Sequence, residues 1–196
     1  MRRKHIIFAL LILAILIAGC TVKEKAIAKP EPVVEEQLKN NSVSSDEGIP
    51  IGRSIGFLPH DFTVHTTEGE LFNLREQSGK KPVIIYFMAT WCPYCAKDFK
   101  ALSEVINDYE NDVVIVAVDV DLNEGINDLK KYKEQYPNLE AVKFAPGTAE
   151  ILADYKATAT TIKYGIGRNG VIIRRGSGAI NEAEWVMWLE ALINSE

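Results

Sequence analysis

Val83-Ile84-Ile85-Tyr86-Phe87-Met88-Ala89-Thr90-Trp91-Cys92-Pro93-Tyr94-Cys95 is the stretch that decides the fold. Its first six residues are an apolar run of strand length, the pattern of a strand covered on both faces. Beyond the cysteines, Phe99, Leu102, Val105, Ile106 and Tyr109 recur at helical spacing. Val113 to Val118 then repeats the buried-strand pattern. The result is a strand–helix–strand unit, with Cys-Pro-Tyr-Cys where the first strand hands over to the helix. A thiol at that place meets unpaired backbone N–H groups and the positive end of the helix dipole. Such a setting lowers a cysteine's pKa, and the thiolate is the form that attacks disulfides. Cys95, one turn further on, is placed to attack the resulting mixed disulfide. Cys92 is therefore expected to be an exposed nucleophile and Cys95 the more buried resolving thiol. Pro93, which lacks an N–H, suits the first helical turn.

Outward from this unit, Phe62 to His65 and Leu71 to Leu74 flank Thr67-Glu68-Gly69, a hairpin signal. Downstream, a helix is expected from about Asn123 to Tyr136, stopped by Pro137, and a short one from about Thr148 to Tyr155. Ile162 to Ile166 and Val171 to Arg174 are expected to pair across Arg168-Asn169-Gly170. Asn181 with Glu184 fits a capping box that opens a last amphipathic helix, with Trp185 and Trp188 turned to the core. These elements make an α/β domain: a central mixed sheet flanked by helices, with an added N-terminal β-hairpin.

The 196 residues, 47% apolar, allow one well-filled core plus appendages. A formal charge of −5 repels phosphate backbones, and no basic stripe with interleaved aromatics offsets it, so nucleic acid is excluded as a partner. At the N-terminus, Arg2-Arg3-Lys4 precede an unbroken apolar run from Ile6 to Ala18. That run is short for a membrane span of about 20 residues and has the form of an export signal. Residues 21–50 mix charges with Pro, Ser and Asn and show no apolar period, as a flexible stalk does. The expected organisation is a signal peptide over 1–19, a linker over 20–50 and one folded domain over 51–196.

Leu16-Ile17-Ala18-Gly19-Cys20 resembles the lipobox of bacterial lipoproteins. The resemblance implies lipidation of Cys20 after cleavage just before it; the alternative is an uncleaved apolar anchor. Either tethers the domain to the membrane outside the cytoplasm. With Cys20 assigned to lipid, the chain's three cysteines leave one pair, Cys92 and Cys95, as the redox disulfide. A bridge that encloses so little chain adds little stability, so chemistry explains the pair better than stapling does.

Phe87-Met88-Ala89-Thr90-Trp91-Cys92-Pro93-Tyr94-Cys95 resembles the active-site run F-W-A-T-W-C-x-x-C of the TlpA/ResA branch of the thioredoxin-like proteins. Pro59-His60-Asp61-Phe62, Glu68-Gly69, Leu74 and Gly79-Lys80 resemble that branch's N-terminal hairpin, with one extra residue between Pro59 and Asp61. Tyr155 to Gly170 is similar to its Y-x-V…PTTFLIDxxG stretch. The similarity runs from about Ile51 to the C-terminus. It implies a thioredoxin fold and a tethered thiol–disulfide oxidoreductase that needs no cofactor. Members commonly reduce exported thiol proteins such as apocytochrome c, fed by an electron donor in the membrane.

Position by position, the resemblance implies a proton acceptor at Asp98 and substrate contacts at Trp91, Pro93, Tyr94, Thr160 and Thr161. For Asp98 a solvated place on the helix surface stays open, and for Trp91 a packing role. Tyr86 stands where thioredoxin has a buried Asp. A tyrosine is no base near neutral pH, so that relay is absent and Tyr86 is expected in the core. The branch's cis-proline position falls on Thr161, or on Ala159 after a shift of two. A cis bond without proline costs about 2.5–4 kcal/mol, so a trans or rearranged loop is expected, with the Thr161 N–H and hydroxyl close to Cys92.

Other chemistries fit less well. A structural zinc site needs a second C-x-x-C or a His pair downstream. The histidines are His5, His60 and His65, the last two read as surface residues, so no metal site is assigned. Soft-metal handling, with Cu(I) held by Cys92 and Cys95, is the alternative function. A binding domain with a vestigial motif is a third reading. A thiol peroxidase requires an arginine-activated pocket, and only Arg53 and Arg75 precede the cysteines in the domain. Pro93-Tyr94 matches the glutaredoxin dipeptide, but the flanking sequence does not.

Overall fold

The computed structural model describes residues 48–195. The expected signal peptide, Cys20 and nearly all of the linker lie outside the described residues. Among the described residues, no helix is long and apolar enough to cross a membrane.

The apolar run forms β3 (Val83–Met88), with every residue buried. It follows a short hairpin, β1 (Thr63–His65) and β2 (Leu71–Asn73), whose register pairs Val64 with Phe72. Gly69 turns the hairpin at φ +83°, a conformation that costs glycine nothing. After the cysteines come α1 (Pro93–Val105), β4 (Val114–Asp119), α2 (Ile126–Lys133), β5 (Val142–Pro146), α3 (Ala149–Tyr155), β6 (Lys163–Ile166), β7 (Ile172–Gly176) and α4 (Glu182–Ile193). The five-stranded sheet runs β5-β4-β3-β6-β7. β3, β4 and β5 are mutually parallel, while β6 and β7 run antiparallel.

Alternation along β3 splits the core in two. Ile84, Tyr86 and Met88 face Phe99 and Leu102 of α1 and Trp185, Leu189 and Leu192 of α4. Ile85 and Phe87 face Val64 and Phe72 of the hairpin and Ile151 and Tyr155 of α3. Each fully buried large apolar side chain contributes about 1.5–3 kcal/mol, so the sheet is held by cover on both faces.

Two elements differ from the sequence reading. The helix expected over Asn123–Tyr136 is only Ile126–Lys133. Asp121 Oδ1 accepts the Asn123 N–H at 3.0 Å, a local turn that competes with helix at the front. Gly125 is extended there, and its N–H donates to Asp128 Oδ2 at 2.9 Å. The second is β5, which was not anticipated: Val142 and Phe144 alternate inward at the sheet's edge, too short a pattern to stand out. The tryptophans and the Asn181–Glu184 capping box lie as expected.

Candidate active site

β3 ends at the centre of the sheet, and Thr90-Trp91 carry the chain from it into α1. Cys92 is the helix N-cap in extended conformation, with Pro93 in the first turn. Its sulfur accepts the Cys95 N–H at 3.1 Å, one of the donors that a helix start leaves open. Both cysteines are free thiols. Cys92 is not the exposed thiol that was expected: it is only 2% exposed, because its thiol donates to Thr160 Oγ1 at 3.0 Å and the β6 approach loop covers it. Trp91 (63%) and Tyr94 (59%) are the exposed residues beside it. Cys95 is completely buried, and burial pushes its thiol up to about 12. The dithiol is thus asymmetric in its surroundings: one sulfur sits at the helix start, the other is sealed below it.

The segment before Cys92 is tied to the β4–α2 loop. Thr90 donates its N–H to Glu124 Oε2 at 2.9 Å and its hydroxyl to the same carboxylate. Trp91 donates its indole N–H to Asp121 Oδ2 at 2.9 Å. Asp119, at the end of β4, is buried, and burial raises its carboxyl to about 7, with Glu124 adding to the rise.

Beneath the thiols lies a buried polar cluster. Asp98 is fully buried rather than solvated, because α1 turns this face onto the sheet. Its Oδ2 lies 2.8 Å from Lys163 Nζ and accepts the Tyr86 hydroxyl at 2.6 Å, and its Oδ1 accepts the Ile180 N–H at 2.5 Å. Tyr86 is in the core as expected, yet its hydroxyl donates to Asp98, and it is buried in the same cluster as Cys95. Burial, then the nearby Cys95 and Asp98, raise the Tyr86 pKa well above a phenol's usual range, so it stays a neutral hydroxyl. Lys163 is 1% exposed and donates to the carbonyls of Thr161 (3.2 Å) and Gly178 (2.7 Å). Burial lowers its pKa, and Asp98 opposes that shift.

All peptide bonds of the described residues are trans. Thr161 holds φ +65°, a left-handed conformation uncommon for a β-branched residue. Its N–H does not face Cys92: it donates to Phe87 O at 2.7 Å, and its hydroxyl donates to Thr160 O and accepts the Gly178 N–H. Thr160 supplies the hydroxyl at the thiol instead. His60 and His65 lie away from the cysteines; His60 is half-buried, 3.6 Å from Asp154. Among the described residues no group of three or more His, Cys, Asp or Glu is arranged to hold a metal ion.

Lys163, Asp121, Glu124 and Asp119 were missed from sequence. Lys163 did carry a signal: it is the one charged residue inside Ile162–Ile166.

The AhpC/TSA family matches residues 56–186, most of the chain. The thioredoxin-like protein YneN of Bacillus subtilis is 34% identical over 68 residues, 35% of this chain but only 39% of YneN's length. The thiol-disulfide oxidoreductase ResA of Bacillus cereus is 29% identical over 122 residues, 62% of this chain and 68% of ResA. Among solved structures, a secreted disulfide oxidoreductase of Mycobacterium tuberculosis superposes with a TM-score of 0.57 at 22% identity, covering 67% of this chain and 96% of that one. Copper-bound ScoI of Bradyrhizobium japonicum gives 0.56 at 17%, covering 68% and 98%. At such identities the likeness concerns the fold. The chain belongs to the AhpC/TSA family and resembles the ResA thiol–disulfide oxidoreductases.

Proposed function

We propose that this protein is a thiol–disulfide oxidoreductase that reduces disulfides of exported proteins through Cys92 and Cys95. The observation that carries the reading is the asymmetric dithiol: Cys92 Sγ at the start of α1 against its own helix N–H, and Cys95 sealed one turn below. The Cys92 thiolate attacks one sulfur of a substrate disulfide. A Cys92–substrate S–S bond forms, and the other substrate sulfur leaves and takes up a proton. Cys95 loses its proton and attacks Cys92 Sγ. The mixed disulfide breaks, the Cys92–Cys95 disulfide forms, and the second substrate sulfur leaves as a thiol. Two electrons have moved from protein to substrate, and a membrane-borne donor restores the dithiol.

Thr160 opens for the substrate by giving up its contact with the Cys92 sulfur. Trp91, Pro93 and Tyr94 form the rim that meets the substrate peptide, with Thr160-Thr161 across from them. Asp98 is the proton acceptor for Cys95, which its burial and its hydrogen bond with Tyr86 support. The N-terminal signal, linker and lipidated Cys20 tether the domain to the membrane on its outer side. Peroxidase chemistry is the weaker reading: Arg75, one of the two arginines that precede the cysteines in the domain, is paired with Asp61.

The direction is tested by the reduction potential of the Cys92–Cys95 pair together with turnover of a protein disulfide. A potential near or below about −270 mV and turnover lost in Cys92→Ser support a reductase; about −120 mV would point to an oxidant. The copper-bound ScoI fold relative makes soft-metal handling the second reading. A stoichiometric thiolate-bound metal after anaerobic purification would favour it.

A further inference from the structure

Resolution of the mixed disulfide needs a place for the Cys95 proton, yet Cys95 is buried and bulk solvent does not reach it. Tyr86 is buried with Cys95 in one cluster and reaches the carboxylate of Asp98. Its hydroxyl donates to Asp98 Oδ2 at 2.6 Å, and while burial raises the Cys95 pKa, the Tyr86 hydroxyl opposes that rise.

We propose that the Tyr86 hydroxyl is a proton relay: it takes the proton of the Cys95 thiol while handing its own to Asp98 Oδ2. This rests on the exchange reading above and names the group that performs its second step. A hydroxyl is donor and acceptor at once, so it passes a proton without becoming an anion. In that respect it replaces a buried acid by a different chemistry, and the lack of a base at this position does not break the path. The balance is simple. The S–H bond of Cys95 and the O–H bond of Tyr86 break; a new O–H forms on Tyr86 and another on Asp98. The sulfur's electron pair then makes the S–S bond to Cys92 as the substrate sulfur departs with its own pair.

Lys163 makes the transfer affordable in a low-dielectric site. Its Nζ lies 2.8 Å from Asp98 Oδ2 and 4.8 Å from the centre of the Tyr86 ring. Before transfer the anion is Asp98 and afterwards it is the Cys95 sulfur, and Lys163 attracts both, so no charge is added to the interior. The other groups around Tyr86 are the apolar rings of Phe99 and Trp185. Cys92 lies beside Cys95, and Glu184 acts on Lys163. Lys163 is a positioning residue here, and Tyr86 is the group proposed to exchange a proton with the reacting sulfur.

The test loads Cys92 with 5-thio-2-nitrobenzoate and follows its release by Cys95 in stopped flow across pH. Tyr86→Phe keeps the ring and deletes the relay. Release is expected to slow about a hundredfold near neutral pH, the lower end of what a positioned proton acceptor contributes. It should then climb with hydroxide where the wild type levels off. Alkylation of Cys92 in a Cys95→Ser background should not change with Tyr86→Phe. Release from Tyr86→Phe at the wild-type rate and with the wild-type pH profile overturns the relay and leaves exchange standing. A wild-type protein that holds the adduct as long as Cys95→Ser does removes exchange, and the relay with it. If Tyr86→Phe does not fold, release by the wild type in H2O–D2O mixtures decides: a bowed dependence means two protons move together, and a straight line overturns the proposal.

Discussion

Lys163 of β6 and Asp98 of α1 meet at 2.8 Å with both side chains closed to solvent. A pair so placed is worth little against a neutral substitute, but breaking it from one side strands a buried charge. Lys163→Met should therefore cost about 3–5 kcal/mol in urea unfolding. Adding Asp98→Asn to it should restore most of that loss while leaving mixed-disulfide resolution slow. Equal losses in the single and double variants would mean the ion pair is not what Lys163 contributes.

Thr161, one of the two positions on which the branch's proline could fall, sits in a loop whose backbone does not suit a proline. Its N–H bonds Phe87 O at 2.7 Å and its φ is +65°. Proline has no N–H and holds φ near about −65°, so Thr161→Pro should destabilise by about 3 kcal/mol or more. Thr161→Gly, at ease with positive φ, should cost much less. Thermal unfolding of the two variants side by side checks the order; a Thr161→Pro protein as stable as the parent would contradict it.

Asp119 ties stability to pH. Its carboxyl is raised from 3.8 to about 7 by burial, so the folded state keeps a proton that the unfolded chain has released. Stability should fall as pH rises through that window and be flat on either side of it. Asp119→Asn should remove this part of the slope in chemical denaturation at about pH 5 and about pH 8, gaining most at the higher pH. A slope unchanged by the substitution would show that another group carries it.

Much of the fold was legible because its strongest signals are local. The apolar run of β3, the thiols at a helix start, the Gly-containing hairpins and the Asn181 capping box each follow from a few neighbouring residues. What escaped needs the third dimension. β5 has only Val142 and Phe144 to show, and it becomes a strand because β4 offers it a partner edge. Asp98 could be read as surface or site, and only the meeting of α1 with β6 gives it Lys163. Tyr86 was legible as core, but not as a hydroxyl bonded to Asp98, a carboxylate one helical turn from Cys95. Cys92 was expected in the open from its place at a helix start; Thr160, distant in the chain, covers it. The N-terminal signal, Cys20 and linker rest on the sequence, outside the described residues.

The central claim is that Cys92 attacks and Cys95 resolves. It is tested most directly by mixing Cys95→Ser and, separately, Cys92→Ser with a disulfide-bonded protein and separating the products on a non-reducing gel. Cys95→Ser should accumulate a covalent adduct through Cys92 that dithiothreitol releases, and Cys92→Ser should form none. An adduct in Cys92→Ser as abundant as in Cys95→Ser, or none in either, would contradict the assignment.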